Sequence, residues 1–69
     1  MTREQNFKRT QTRERNAGFL NACYYVQEVG LENARYLYEQ KEKAMRTYDP
    51  SPFIVAYWEG FANAVVWFV

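Results

Sequence analysis

A chain of 69 residues with one cysteine, Cys23, and no histidine has few ways to hold itself together. One thiol cannot close an intrachain disulfide. Without imidazole or a second thiolate, no structural zinc site can form. Below roughly 70–80 residues a single core supplies only about 3–5 kcal/mol net, so small domains add crosslinks, metals or subunits. The composition is 48% hydrophobic and 19% aromatic, more apolar surface than a disordered chain carries. A second copy or a partner is the remaining route to stability, and the sequence predicts a homodimer.

Charge is nearly balanced, with nine Lys and Arg against eight Asp and Glu, but it is unevenly spread. Residues 1–16 carry Arg3, Lys8, Arg9, Arg13 and Arg15 against Glu4 and Glu14, and are net basic. The remainder, with four cations and six carboxylates, is net acidic. The polar start lacks the apolar stretch of an export signal. With a lone thiol this predicts a reducing cytoplasm.

Periodicity predicts an all-α fold of three helices, over about 12–29, 31–47 and 52–69. In the first, Phe19, Ala22, Cys23, Val26 and Val29 share one face. Gly30 ends it, and Gly18 inside it marks a close backbone approach. Residues 1–11 read as a separate basic arm, mobile or helical. Thr2 and Gln5 fit a capping box there, yet the first sixteen residues hold only Met1 and Phe7 as large apolar groups, and nothing apolar is expected to anchor a helix. Residues 12–69 form the single binding and dimerisation domain.

In the second helix Leu31, Ala34, Leu37, Tyr38, Ala44, Met45 and Tyr48 fall within an arc of roughly 140°. Glu39–Lys43 and Glu42–Arg46 stand in the favourable i,i+4 order on the polar side. Lys41 lies within the apolar arc, where its methylenes cover apolar surface. Asp49-Pro50 ends this helix, and Ser51-Pro52 starts the third with a capping hydroxyl and proline at the first helical position. The third helix is apolar almost all round, broken only by Glu59 and Asn63, which predicts a central, buried position. Ala56, Gly60 and Ala64 form a small-residue strip for close helix packing.

Catalysis is not expected. The sequence holds no histidine to act as general base and no glycine-rich phosphate loop. Ser51 is accounted for by capping, and Cys23 lies on an apolar face without a neighbouring base. No cofactor or metal is expected. The stretch 52–69 is short for a membrane span and carries Glu59 and Asn63 centrally, so no membrane is expected.

Binding is the class that remains. Tyr36 lies almost opposite the apolar arc of the second helix, where it cannot serve its own core. Tyrosine and arginine dominate interface energies, so Tyr36, Arg35, Glu39 and Lys43, joined by Tyr24 and Arg13, are the candidate partner-binding residues. Phe53, Tyr57, Gly60, Phe61, Ala64, Trp67 and Phe68 are the candidate dimer interface. As an alternative, the basic arm suggests a small nucleic-acid-binding regulator. Two acids interrupt it and no stacking aromatics alternate with its cations, which makes nucleic acid the weaker reading.

The opening MTREQNFKRTQTRERNAGFLNACYYVQEVG, the terminal SPFIVAYWEGFANAVVWFV and the length resemble the small early anti-quorum-sensing proteins of Mu-like transposable phages of pseudomonads. The likeness spans the chain and rests on general sequence character, without a diagnostic site motif. It implies a helical homodimer in the host cytoplasm that binds a LuxR-type quorum-sensing transcription regulator and blocks its DNA binding. It implies a pilus-assembly ATPase as a further partner.

Overall fold

A computed structural model of the chain describes residues 2–68. They form three helices: α1 over Arg3–Val29, α2 over Leu31–Arg46 and α3 over Pro52–Trp67. No strand occurs among the described residues. The expected end of the third helix at Val69, like Met1 of the basic arm, lies outside them.

α1 starts at Arg3, not near Thr12. The reason is local. Thr2 caps the helix reciprocally: its hydroxyl accepts from the Gln5 amide at 3.1 Å, and its own amide donates to Gln5 Oε1 at 3.0 Å. Glu4 and Lys8 pair at 3.5 Å one turn apart. The missing anchor is Phe7, whose ring sits 5.2 Å from that of Phe53. A helix propagates cheaply once its first turn is fixed, so the basic segment continues into the core helix without a break.

Gly30 alone separates α1 from α2, at φ 92° and ψ 159°, a backbone conformation that L side chains avoid. Across this elbow the Asn33 side-chain Nδ2 donates to the Val29 carbonyl at 2.6 Å, and the Gly30 backbone amide donates to the Val26 carbonyl at 2.9 Å. These bonds satisfy carbonyls that a helix end leaves open. α3 starts as its residues require, with Ser51 Oγ accepting from the Phe53 amide at 3.1 Å and Pro52 next to it.

The dominant packing is α1 against α3. The two run in the same sense, with Phe7 beside Phe53 early in both, and Tyr25 facing Phe61 at 6.3 Å further along. Between these points the backbones meet at two glycines. A Cβ at Gly18 would overlap the Tyr57 carbonyl, and one at Gly60 would overlap the Arg15 carbonyl. The close approach marked by Gly18 is therefore made by α3 of the same chain. The strip Ala56, Gly60 and Ala64 is buried as its other half.

The core is small in volume. Its buried hydrophobic members are Ala22, Ala34, Ala56, Phe61, Ala64 and Val65. α3 is central in the sense that Phe61 and Val65 anchor this cluster. It is not buried all round: Ile54, Val66, Trp67 and Phe68 are exposed, because two flanking helices cover only one side of it. α2 lies on the assembly with Ala34 buried and Leu31, Leu37 and Tyr38 half-buried. The body measures 40 × 25 × 16 Å. Its radius of gyration is 12.8 Å, against about 11 Å for a compact domain of this length.

Alanine in place of glycine normally stabilises an open helix interior by about 1 kcal/mol. At this crossing the sign reverses. Gly60→Ala is expected to lose about 1–3 kcal/mol, the usual cost of overpacking, read as a lower midpoint in urea unfolding.

Candidate protein-binding surface

The polar side of α2 carries the first set of candidate residues. Tyr36 is 63% exposed, and Arg35, Glu39 and Lys43 are exposed around it. Tyr36 stands there because α2 turns its apolar arc, with Ala34, Leu37 and Tyr38, toward the core. Of the two expected i,i+4 pairs only Glu42–Arg46 forms, at 2.6 Å. Among the described residues Arg35, Glu39 and Lys43 make no ion pair.

Arg35 and Glu39 also edge a groove of about 300 Å³ between α2 and α3. Tyr38 and Glu42 complete its α2 wall, and Ala62, Val65 and Val66 supply an apolar wall from α3. Tyr38 and Val66 were not candidates from the sequence. Tyr38 sat within the apolar arc and read as core, whereas its half-buried ring reaches the groove. The Tyr38 phenol is pushed above its ordinary pKa of 10.0, first by burial and then by the Glu42 carboxylate, with Arg46 opposing and Glu59 adding to the rise. Beside the groove, Lys41 holds its ammonium 5.9 Å from the centre of the Trp58 ring. The contact is made by the ammonium over an aromatic face, where the sequence expected the methylenes to do the covering.

Arg13 and Tyr24 form a second set on α1, on the side turned away from α3. Tyr24 is 69% exposed and Leu20, one turn before it, is 62% exposed. Arg13 flanks a shallow depression with Arg9, Ala17 and Leu20. Leu20 was also missed from the sequence. Its signal was present, since it falls on the wheel opposite Ala22, Val26 and Gly18. The six partner-binding candidates thus lie on two helices.

The candidate dimer residues divide by accessibility. Gly60, Phe61 and Ala64 are buried within the chain. Phe53 stacks with Phe7. Tyr57 is half-buried, with its hydroxyl accepting from Asn21 Nδ2 at 2.8 Å and its ring edge-on to Trp58 at 5.1 Å. Only Trp67, 76% exposed, and Phe68, 40% exposed, remain open to another molecule, with Val66 beside them at 70%. The small-residue strip is thus taken by α1 of the same chain, since two glycines at one crossing fit each other first.

Among the described residues no helix is long and apolar enough to cross a membrane, and no group of three or more His, Cys, Asp or Glu is placed to hold a metal ion. Comparison with protein-family models, curated proteins and solved structures finds no match for this chain.

The raised Tyr38 pKa fixes the sign of a pH effect. A group whose pKa is higher folded than unfolded contributes stability below the unfolded value and loses it as pH rises through the folded one. Thermal unfolding of the native chain is expected to lose stability above pH 10.0 more steeply than that of Tyr38→Phe, which lacks the titrating group.

Proposed function

We propose that this chain is a non-enzymatic helical binding protein that acts as a homodimer. In this reading it inhibits a LuxR-type quorum-sensing transcription regulator of a bacterial host by occupying its DNA-binding domain. A pilus-assembly ATPase is a second candidate partner. The binding class is supported by one observation above the rest: many large apolar side chains stay outside while four of the six buried hydrophobic residues are alanines. The chain exposes 5224 Å², against about 4,600 Å² expected for a monomer of its mass. The identity of the partner is supported by the sequence resemblance.

Two surfaces divide the work. The apolar end of α3, with Val66, Trp67 and Phe68, is suited to self-association, where aromatic burial supplies most of the energy. The outer side of α2 presents Tyr36 as an anchor, with Arg35, Glu39 and Lys43 exposed around it to set orientation. Covering a regulator's DNA-binding surface with such a patch competes with DNA for the same groups. The nucleic-acid alternative is weakened in the arm itself. Within the basic stretch 1–16, Lys8 is paired with Glu4, and Arg15 with Glu59 at 3.2 Å, so these cations are already engaged.

The test joins both surfaces. The native chain is expected to sediment at twice its monomer mass at micromolar concentration, and Trp67→Ala to shift it toward the monomer. Tyr36→Ala is expected to leave the mass unchanged and weaken binding to the regulator by about 2 kcal/mol or more, a hot-spot loss, read by calorimetry. Unchanged affinity in a folded, dimeric Tyr36→Ala protein sinks the assignment of this surface. Direct DNA binding that falls steeply with salt would favour the alternative.

A further inference from the structure

We propose that α2 is a detachable strap, which undocks as a unit while α1 and α3 remain packed on each other. The contrast between the two interfaces carries this. α1 and α3 are joined along their shared length. Phe7 meets Phe53 at one end, the two glycines interlock the backbones, and Tyr25 meets Phe61 further on. Polar bonds reinforce the seam: Arg15 to Glu59 at 3.2 Å and Asn21 to the Tyr57 hydroxyl at 2.8 Å. Close backbone packing leaves little room for partial opening, since dispersion contacts fall away within a fraction of an ångström.

α2 is held differently. Its one buried residue is Ala34, the side chain with least apolar area to lose. Leu31, Leu37 and Tyr38 are half-buried, and among the described residues no side-chain hydrogen bond or ion pair joins α2 to α3. Its lateral polar contact to α3 is the exposed Lys41 ammonium, 5.9 Å from the Trp58 ring centre. The hydrogen bonds at its ends are local. Asn33 bonds back to Val29 across the elbow, and Thr47 Oγ1 donates to Ala44 at 2.7 Å. The Thr47 bond moves with the helix, whereas the Asn33–Val29 bond crosses the elbow and is exchanged for a bond to water when α2 swings.

The attachments permit that swing. At the elbow Gly30 sits in open surroundings, with nothing within 4 Å of a side-chain position, and glycine has the backbone freedom that a change of direction needs. At the far end the exposed run Thr47–Asp49 leads through Pro50 to the Ser51 cap. Segments with few buried apolar contacts open at free energies well below that of global unfolding. Undocking uncovers Phe61 and Val65 and removes one wall of the groove. A partner that touches Arg35 or Glu39 together with Val66 therefore holds the strap shut. That consequence rests on the proposed binding surface; the strap itself does not.

Hydrogen exchange of the full chain, followed by mass spectrometry at urea concentrations below the unfolding midpoint, tests the strap without a partner. Once undocked, a 16-residue helix is marginal in water and opens readily, so amides in the interior of α2 are expected to exchange about tenfold faster or more than those of residues 19–26 and 61–66, with a weaker urea dependence. One rate and one urea dependence for all three helices would overturn the proposal, including the case where dimerisation protects α2. Leu37→Ala supplies the second readout. It is expected to speed exchange in α2 by a further tenfold or so and leave α1 and α3 unchanged. A parallel increase in all three helices would equally refute it.

Discussion

The structure depends on one contact, the crossing of α1 and α3 at Gly18 and Gly60. Two helices whose backbones touch can share a dense interface without large side chains. That is why alanines suffice at positions 22, 56 and 64. The same closeness fixes the relative rotation of the helices, since a carbonyl on each chain segment occupies the space a Cβ would need on the other. Once α1 and α3 are set in this way, the bulky residues of α3 have two fates. Phe61 and Val65 point into the cluster, whereas Ile54, Val66 and Trp67 point out. The exposed apolar surface is thus a geometric by-product of a narrow crossing, and the proposed binding function draws on it.

Much of this fold was readable from spacing and punctuation. Gly30, Asp49-Pro50 and Ser51-Pro52 delimit the helices because each fixes a backbone conformation by itself, whatever packs around it. The wheel of α2 placed Lys41 over an apolar neighbour and Tyr36 in solvent for the same reason: with most of its length open, its pattern follows its own periodicity. The start of α1 was not readable. Phe7 has no apolar neighbour in its own helix, and its anchor, Phe53, is 46 positions away in the sequence. Such pairings are invisible to a pattern that sees only local spacing.

The small-residue strip teaches a related lesson. Ala56, Gly60 and Ala64 announce that a helix backbone comes close, but not whose. Gly18 held the answer, because a close crossing of this kind needs a small residue on both sides. Reading the two glycines as one feature assigns the strip to the chain's own α1 and leaves Trp67 and Phe68 as the aromatic surface open to another molecule. The groove beside Tyr38 was equally hidden, since it takes residues from both α2 and α3 to build it.

A core made of alanines changes how its importance can be discovered. Ala22, Ala34, Ala56 and Ala64 are already as small as an alanine scan can make them, so truncation mutagenesis would pass over these four and report on the centre only through Phe61 and Val65. The informative experiment runs the other way, by adding one or two methyl groups at each of these positions. In this molecule size, more than hydrophobicity, is the constrained quantity, and sequence variation at its centre is expected to be confined among glycine, alanine and serine.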